Sequence, residues 1–89
     1  MAADRLLGPF LEAALDNTLR HGDRALTGPV ARGDLDTVRL HLRVLAESAP
    51  ELLEPYRAQA TRTADRAEAA GLLAPAAATQ IRQILQERR

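Results

Sequence analysis

Segment 25–34, with the sequence ALTGPVARGD, constrains the fold of this chain more than any other stretch. It places Gly28, Pro29 and Gly33 close together between two amphipathic helical patterns. Glycine reaches backbone angles that other residues avoid and proline fixes φ, so the segment is expected to hold a defined loop conformation. Such a loop either presents functional groups or only lets two helices turn back on each other.

Apolar residues on both sides of this loop recur at the three- and four-residue spacing of helices. We expect four main helices, over about 8–21, 35–47 and 55–70 and from Pro75 onward, and therefore an all-α bundle with a structured Gly/Pro loop. Ser48 and Glu51 have the spacing of a capping box before the third helix. The predicted inward positions are Phe10, Leu11, Ala14, Leu15, Thr18, Leu19, Leu35, Val38, Leu42, Leu45, Tyr56, Ala60, Thr63, Ala67, Ala70, Ala78, Ile81, Ile84 and Leu85.

Length and composition limit the size of the core. The chain has 89 residues, which we expect to form a single helical domain over 1–89, and its aromatic content is 2%. Leucine and alanine supply most of the apolar mass, which favours close-packed helices over a sheet. Because alanine faces bury little area, a partner surface is expected, either a second copy or a missing domain.

The charges and the absent residue types exclude several classes of function. Twelve basic residues, all arginine, balance twelve acidic ones, which argues against a nucleic-acid binder. No apolar run approaches the length of a membrane span, and no signal peptide is recognisable, so we expect a cytoplasmic protein. There is no cysteine, and His21 and His41 lack the spacing of a helical metal pair, so no metal site is predicted.

A polar line on the second helix is the candidate site. Asp34, Thr37 and His41 share one helical face, which begins at the loop containing Thr27 and Arg32. Such a cleft could bind a small anionic substrate, with Arg32 as a carboxylate clamp and His41 as a possible general acid or base. In the structural alternative, Asp34 caps the helix, Thr37 supports the cap and His41 flanks the core.

The chain contains no complete active site of its own. No strand is followed by a glycine-rich turn, so the fingerprint of a dinucleotide-binding domain is absent, and no catalytic residue is assigned. Asn17, the sole asparagine, lies inside the first predicted helix, where asparagine is unfavourable. A ligand or interhelical contact would explain it, and so would an exposed polar position.

Three stretches carry a resemblance to a known family: LEAALDN at 11–17, ALTGPVARGD at 25–34 and TVRLHL at 37–42. Over about residues 6–70 the chain resembles the C-terminal domain of predicted Rossmann-type oxidoreductases, catalogued as domain of unknown function 2520. The resemblance implies a fold like the C-terminal domains of 6-phosphogluconate dehydrogenase and of the ketopantoate and pyrroline-carboxylate reductases. Such domains dimerise, close over the nicotinamide and supply the substrate side of the cleft. The positions that match the family pattern, and so the implied substrate-binding residues, are Asn17, Thr27, Gly28, Pro29, Arg32, Asp34 and His41.

By this resemblance the sequence is expected to be without two parts of such a protein, the N-terminal NAD(P)-binding Rossmann domain and the helix that normally precedes Leu7. That helix often carries a catalytic lysine or asparagine, and this sequence has no lysine. We therefore expect a fragment that neither binds a cofactor nor catalyses alone, from an NAD(P)-dependent oxidoreductase. Its expected partners are a second copy, the missing Rossmann domain and a small anionic substrate. The alternative is a stand-alone helical interaction module, and an upstream strand–GxGxxG–helix segment in the same frame would distinguish the two.

Overall fold

The computed structural model describes residues 8–13, 15–16 and 28–87, and these are helical apart from short connections. Residues 8–13 and 15–16 belong to the first helix, α1. The later elements are α2 (Leu35–Ser48), a 3-10 turn (Pro50–Leu52), α3 (Leu53–Ala69) and α4 (Pro75–Gln86). Since no strand occurs within this part of the chain, the all-α expectation is confirmed.

The core lies where the helices meet, and its centre is formed by long aliphatic side chains. Val38, Leu45 and Ile81 are each 0% exposed, and Leu85 is 1% exposed. Leu35 and Leu42 are half-buried and pack against this cluster. Ala14, Thr18 and Leu19 lie outside the residues described. The predicted inward positions that are buried are Leu11, Leu15, Val38, Leu45, Tyr56, Ala60, Thr63, Ala67, Ala78, Ile81, Ile84 and Leu85.

Two positions predicted to point inward are exposed instead. Phe10 is 74% exposed, whereas Leu11 and Leu15 are buried. Successive helical residues are rotated by about 100°, so burying the Leu11–Leu15 stripe turns Phe10 toward solvent. Ala70 is exposed because α3 ends at Ala69 and Ala70 is its C-cap.

The connection from α2 to α3 differs from the predicted capping box. Ser48 is the last residue of α2, and its hydroxyl donates to the Val44 carbonyl at 2.7 Å. The 3-10 turn that follows has no side-chain cap, and α3 begins at Leu53, earlier than predicted. Pro55 fits inside the first turn of α3, because backbone N–H groups there have no intrahelical acceptor.

Helices α3 and α4 form a hairpin. A short turn through Gly71 joins them, and Pro75 occupies the first turn of α4, as predicted. The Arg82 guanidinium of α4 forms ion pairs with Asp65, at 2.8 Å, and with Glu68, both on α3. None of the helices in the described ranges is long and apolar enough to cross a membrane.

Candidate functional site

The Gly/Pro segment is a closed helical turn rather than an irregular connector. The Asp34 amide donates to the Pro29 carbonyl at 2.9 Å, and the Gly33 amide donates to the Val30 carbonyl at 3.0 Å. With Gly33 at φ 70°, this is the bonding pattern of a Schellman motif. Val30 and Ala31 are buried and anchor the turn in the core. The segment therefore presents its remaining side chains from a fixed backbone.

Gly33 is required at this turn for two reasons. Its positive φ favours glycine, and a Cβ added there would lie 3.2 Å from Cδ1 of Leu73. Leu73, in the α3–α4 connection, is itself 5% exposed and has little freedom to move. The turn is thus held tightly against the α3–α4 connection.

Asp34 ends this turn and begins α2. Its Oδ1 accepts the Thr37 amide at 3.2 Å, and its Oδ2 accepts the Thr37 hydroxyl at 2.7 Å. These bonds, chiefly the one from the hydroxyl, lower the pKa of the Asp34 carboxyl. The capping alternative therefore accounts for both residues without a ligand.

Arg32 is more accessible than Asp34. Its Nη2 lies 4.0 Å from Oδ2 of Asp34, and its side chain is 61% exposed. An ion pair of this length between exposed groups contributes little to stability. The Arg32 side chain is accessible from solvent, as the anion-binding role predicted for it requires.

His41 forms a polar contact with Tyr56 of α3. Its Nδ1 lies 3.0 Å from the Tyr56 hydroxyl oxygen, and the rings meet edge to face at a centroid distance of 5.7 Å. Burial lowers the pKa of His41, an effect that the charge of Asp34 partly offsets. Burial raises the pKa of the Tyr56 phenol, which therefore keeps its proton. The protonated Tyr56 hydroxyl can donate to Nδ1, and in that tautomer neutral His41 carries its proton on Nε2.

The structure brings together most of the predicted site residues that it describes. Gly28, Pro29, Arg32 and Asp34 lie in or beside the same turn, and His41 lies further along α2. The Asp34 charge is close enough to affect the His41 pKa. Asn17 and Thr27, which complete the predicted set, lie outside the described residues.

Tyr56 is the site residue that sequence reasoning missed. It was assigned only to the inner face of α3, whereas its hydroxyl pairs with a side chain 15 residues earlier. Local spacing cannot predict such a tertiary contact. The available signal was a single tyrosine on a face otherwise made mainly of alanine, because a buried phenol needs a polar partner.

The described acidic and histidine side chains do not form a metal site. Within residues 8–13, 15–16 and 28–87, no three potential ligands lie close enough together to hold a metal ion. The arrangement offers an exposed guanidinium, a capped carboxylate and a neutral imidazole. These groups suit binding of an anionic or carbonyl-bearing molecule by charge and hydrogen bonding.

Comparison with known proteins identifies the family. Residues 1–63 match the family described as Domain of unknown function (DUF2520). No curated protein and no solved structure matches the chain. The matched range includes the Schellman turn, α2, His41 and Tyr56, whereas α4 lies beyond it. Because the match covers most of its length, this chain belongs to the DUF2520 family.

Proposed function

We propose that this chain is the dimerisation and substrate-binding part of an NAD(P)-dependent oxidoreductase and that it is not catalytic alone. The observation that carries the proposal is the rigid junction of the Schellman turn with the α2 cap. This junction contains Gly28, Pro29, Arg32 and Asp34, all of which match the family pattern. Its rigidity is what a substrate site needs, since groups held in place lose little freedom on binding.

Arg32 is the residue proposed to hold the substrate. Its guanidinium is exposed, and the turn that carries it is closed by backbone hydrogen bonds on both sides. A planar guanidinium binds a carboxylate through two parallel hydrogen bonds, which fixes orientation as well as charge. The proposed ligand is therefore a small molecule with a carboxylate near its reacting carbon.

His41 is proposed to contact the polar group at the reacting carbon. Tyr56 orients the ring, and burial favours the neutral imidazole. With its proton on Nε2, the ring can donate a hydrogen bond to a carbonyl oxygen and remain uncharged. Hydride chemistry would come from a nicotinamide that another domain binds, because this chain contains no glycine-rich dinucleotide turn.

A second copy is the proposed partner of α1. Phe10 is 74% exposed, although large aromatic side chains dominate burial in cores and interfaces. It lies on the exposed side of α1, whereas Leu11 and Leu15 are buried. Covering Phe10 with the same helix of another copy would add apolar area to a small core.

Substitution of Arg32 tests the substrate role. In the native protein, Arg32→Ala is expected to raise KM for a 2-oxo acid substrate by roughly 10- to 100-fold, the range for loss of one or two charge-assisted hydrogen bonds. The measurement is the rate of NAD(P)H oxidation with each of a panel of 2-oxo acids. Arg62→Ala, on an exposed site of α3, is the matched control and should leave KM unchanged. Equal KM values for the two variants would show that Arg32 does not bind the substrate.

The second candidate is a stand-alone helical interaction module. One observation favours it: Asp34 and Thr37 bond each other, and His41 bonds Tyr56, so these groups have structural roles without a ligand. Such a module would have the same fold and a surface for a partner protein. Its function would not depend on Arg32, because no substrate would bind there. The same pair of arginine variants therefore separates the two candidates.

A further inference from the structure

A cleft lies between α2, α3 and α4, away from the His41 face of α2. Its volume is about 540 Å³, within the size range of pockets that hold small molecules. Asp36, Leu40 and Arg43 line it from α2, at positions rotated by roughly a third of a turn from Thr37 and His41, neither of which lines it. The cleft is therefore separate from the proposed substrate site.

Arginine is the main charged residue of this cleft. Arg39 and Arg43, one turn apart on α2, both line it, and Arg57 lines it from α3. Within the described part of the chain, neither Arg39 nor Arg43 forms an ion pair. Like charges at this spacing repel each other. An anion between them would relieve that repulsion.

The Nε–H group of Arg57 has no hydrogen-bond acceptor among the described residues. Its side chain is 15% exposed, and its Nη1 donates to Glu54 at 2.7 Å. Its Nη2 makes a long bond of 3.4 Å to the Glu87 carbonyl oxygen. The Nε atom is buried and has no acceptor among the described residues. A buried donor without an acceptor is unfavourable. An incoming oxygen reaches Nε only if the guanidinium turns toward the cleft, and the long bond from Nη2 to Glu87 is the weakest contact opposing that turn.

The rest of the lining defines what kind of anion fits. Leu42, Leu53 and Ile84 supply apolar surface. Asp36 and Glu87 also line the cleft, so its three arginines and two acidic residues leave a single net positive charge, which Glu54, paired with Arg57, reduces further. This balance favours one negative charge over two, and the apolar surface favours a ligand with a hydrocarbon portion.

We propose that this cleft binds a small monocarboxylic acid with a short apolar chain. The carboxylate accepts from Nη2 of Arg57 in place of the long bond to the Glu87 carbonyl, and a turn of the guanidinium toward the cleft brings Nε to its second oxygen. Arg39 and Arg43 attract it, and its chain packs on Leu42, Leu53 and Ile84. None of these residues belongs to the proposed substrate site, so this proposal does not depend on the oxidoreductase assignment.

Three probes separate the contribution of the ligand's negative charge from that of its hydrocarbon chain. The full 89-residue chain, labelled with ¹⁵N, is titrated with hexanoate, with hexanol and with inorganic phosphate, and the arginine Nε–Hε resonances are followed by NMR. Hexanoate is expected to shift the Arg57 resonance in a saturable manner and to bind at least about tenfold more tightly than either other probe. Comparable binding of hexanol would overturn the role of the arginines. Comparable binding of phosphate would overturn the role of the apolar lining.

Variants locate the site. Arg57→Gln is expected to weaken hexanoate binding by about tenfold or more, and Arg62→Gln, outside the cleft on the same helix, should leave it unchanged. Arg39→Gln, an exposed position, provides a second test that does not depend on how well the Arg57 variant folds. Unchanged hexanoate affinity in Arg39→Gln and in a folded Arg57→Gln would overturn the proposal. The proposal would also be overturned if hexanoate changed only the NMR resonances of residues on the His41 face of α2.

Discussion

At the scale of single residues, burial sets the charge of His41. The ring is half-buried against Tyr56, and burial depresses its pKa below the ordinary value of 6.5. A histidine with a lowered folded pKa stabilises the fold fully above its unfolded pKa. That contribution is lost as the pH falls from 6.5 through the folded pKa, because the unfolded chain binds the proton more readily.

The His41–Tyr56 pair gives a pH-dependent prediction. Between pH 7.5 and about 5.5, the free energy of unfolding should fall in the wild type and fall less in His41→Gln. Tyr56→Phe should lower it by roughly 1 kcal/mol at pH 7.5, since a buried imidazole nitrogen loses its hydrogen bond. Urea unfolding at the two pH values, with NMR titration of the His41 ring, measures both effects. A His41 pKa above 6.5 would contradict this account.

The arrangement of the candidate residues was predictable to different degrees. The proximity of Arg32 and Asp34 to one another and to the His41 face follows from their spacing along one loop and one helix, and their role in binding stays a prediction. The bond between Asp34 and Thr37 is local and was foreseen as a cap. Tyr56 could not be assigned as the partner of His41, because their contact depends on how α2 packs against α3.

At the scale of elements, two Schellman turns set the path of the chain. One closes on Gly33 before α2, and the other closes on Gly71 after α3, with the Leu72 amide donating to the Ala67 carbonyl at 2.9 Å. The two glycines have similar φ values of 70° and 78°. Their surroundings differ, since a Cβ at Gly33 would contact Leu73 and a Cβ at Gly71 would meet nothing within 4 Å.

This difference makes the two glycines a matched pair. Gly71→Ala should cost about 1 kcal/mol, because it places a side chain in the left-handed region with no further contact. Gly33→Ala should cost about 2 kcal/mol or more, because the same strain adds to a close contact with the buried Leu73. Chemical denaturation of both variants measures the difference. Equal losses would mean that the turn does not pack tightly on the α3–α4 connection.

Helix positions followed from periodicity more reliably than helix ends and faces. The ends at Gly71 and Pro75 were predicted because these residue types restrict the backbone directly. The capping box at Ser48 was wrong, since α2 continues through Ser48 and its hydroxyl bonds the Val44 carbonyl. Phe10 was placed inward because spacing alone does not show which of two adjacent apolar residues the packing selects.

At the scale of the whole molecule, α2 separates two surfaces. One carries Asp34, Thr37 and His41, close to Arg32, and the other carries the arginine cleft with Arg39 and Arg43. The core between them depends on a few aliphatic side chains such as Val38 and Leu45. A small core with distinct polar surfaces is consistent with a domain that works against another domain or a second copy.

This helical unit is proposed to function as part of a nicotinamide oxidoreductase, and the size of the native polypeptide decides whether it can. The protein is captured from its source cells with an antibody against this chain, and its intact mass is measured. We expect a polypeptide roughly three times as long, enough for an added Rossmann domain, containing a strand–GxGxxG–helix segment. A native product of these 89 residues alone, or a longer one without that segment, would contradict it.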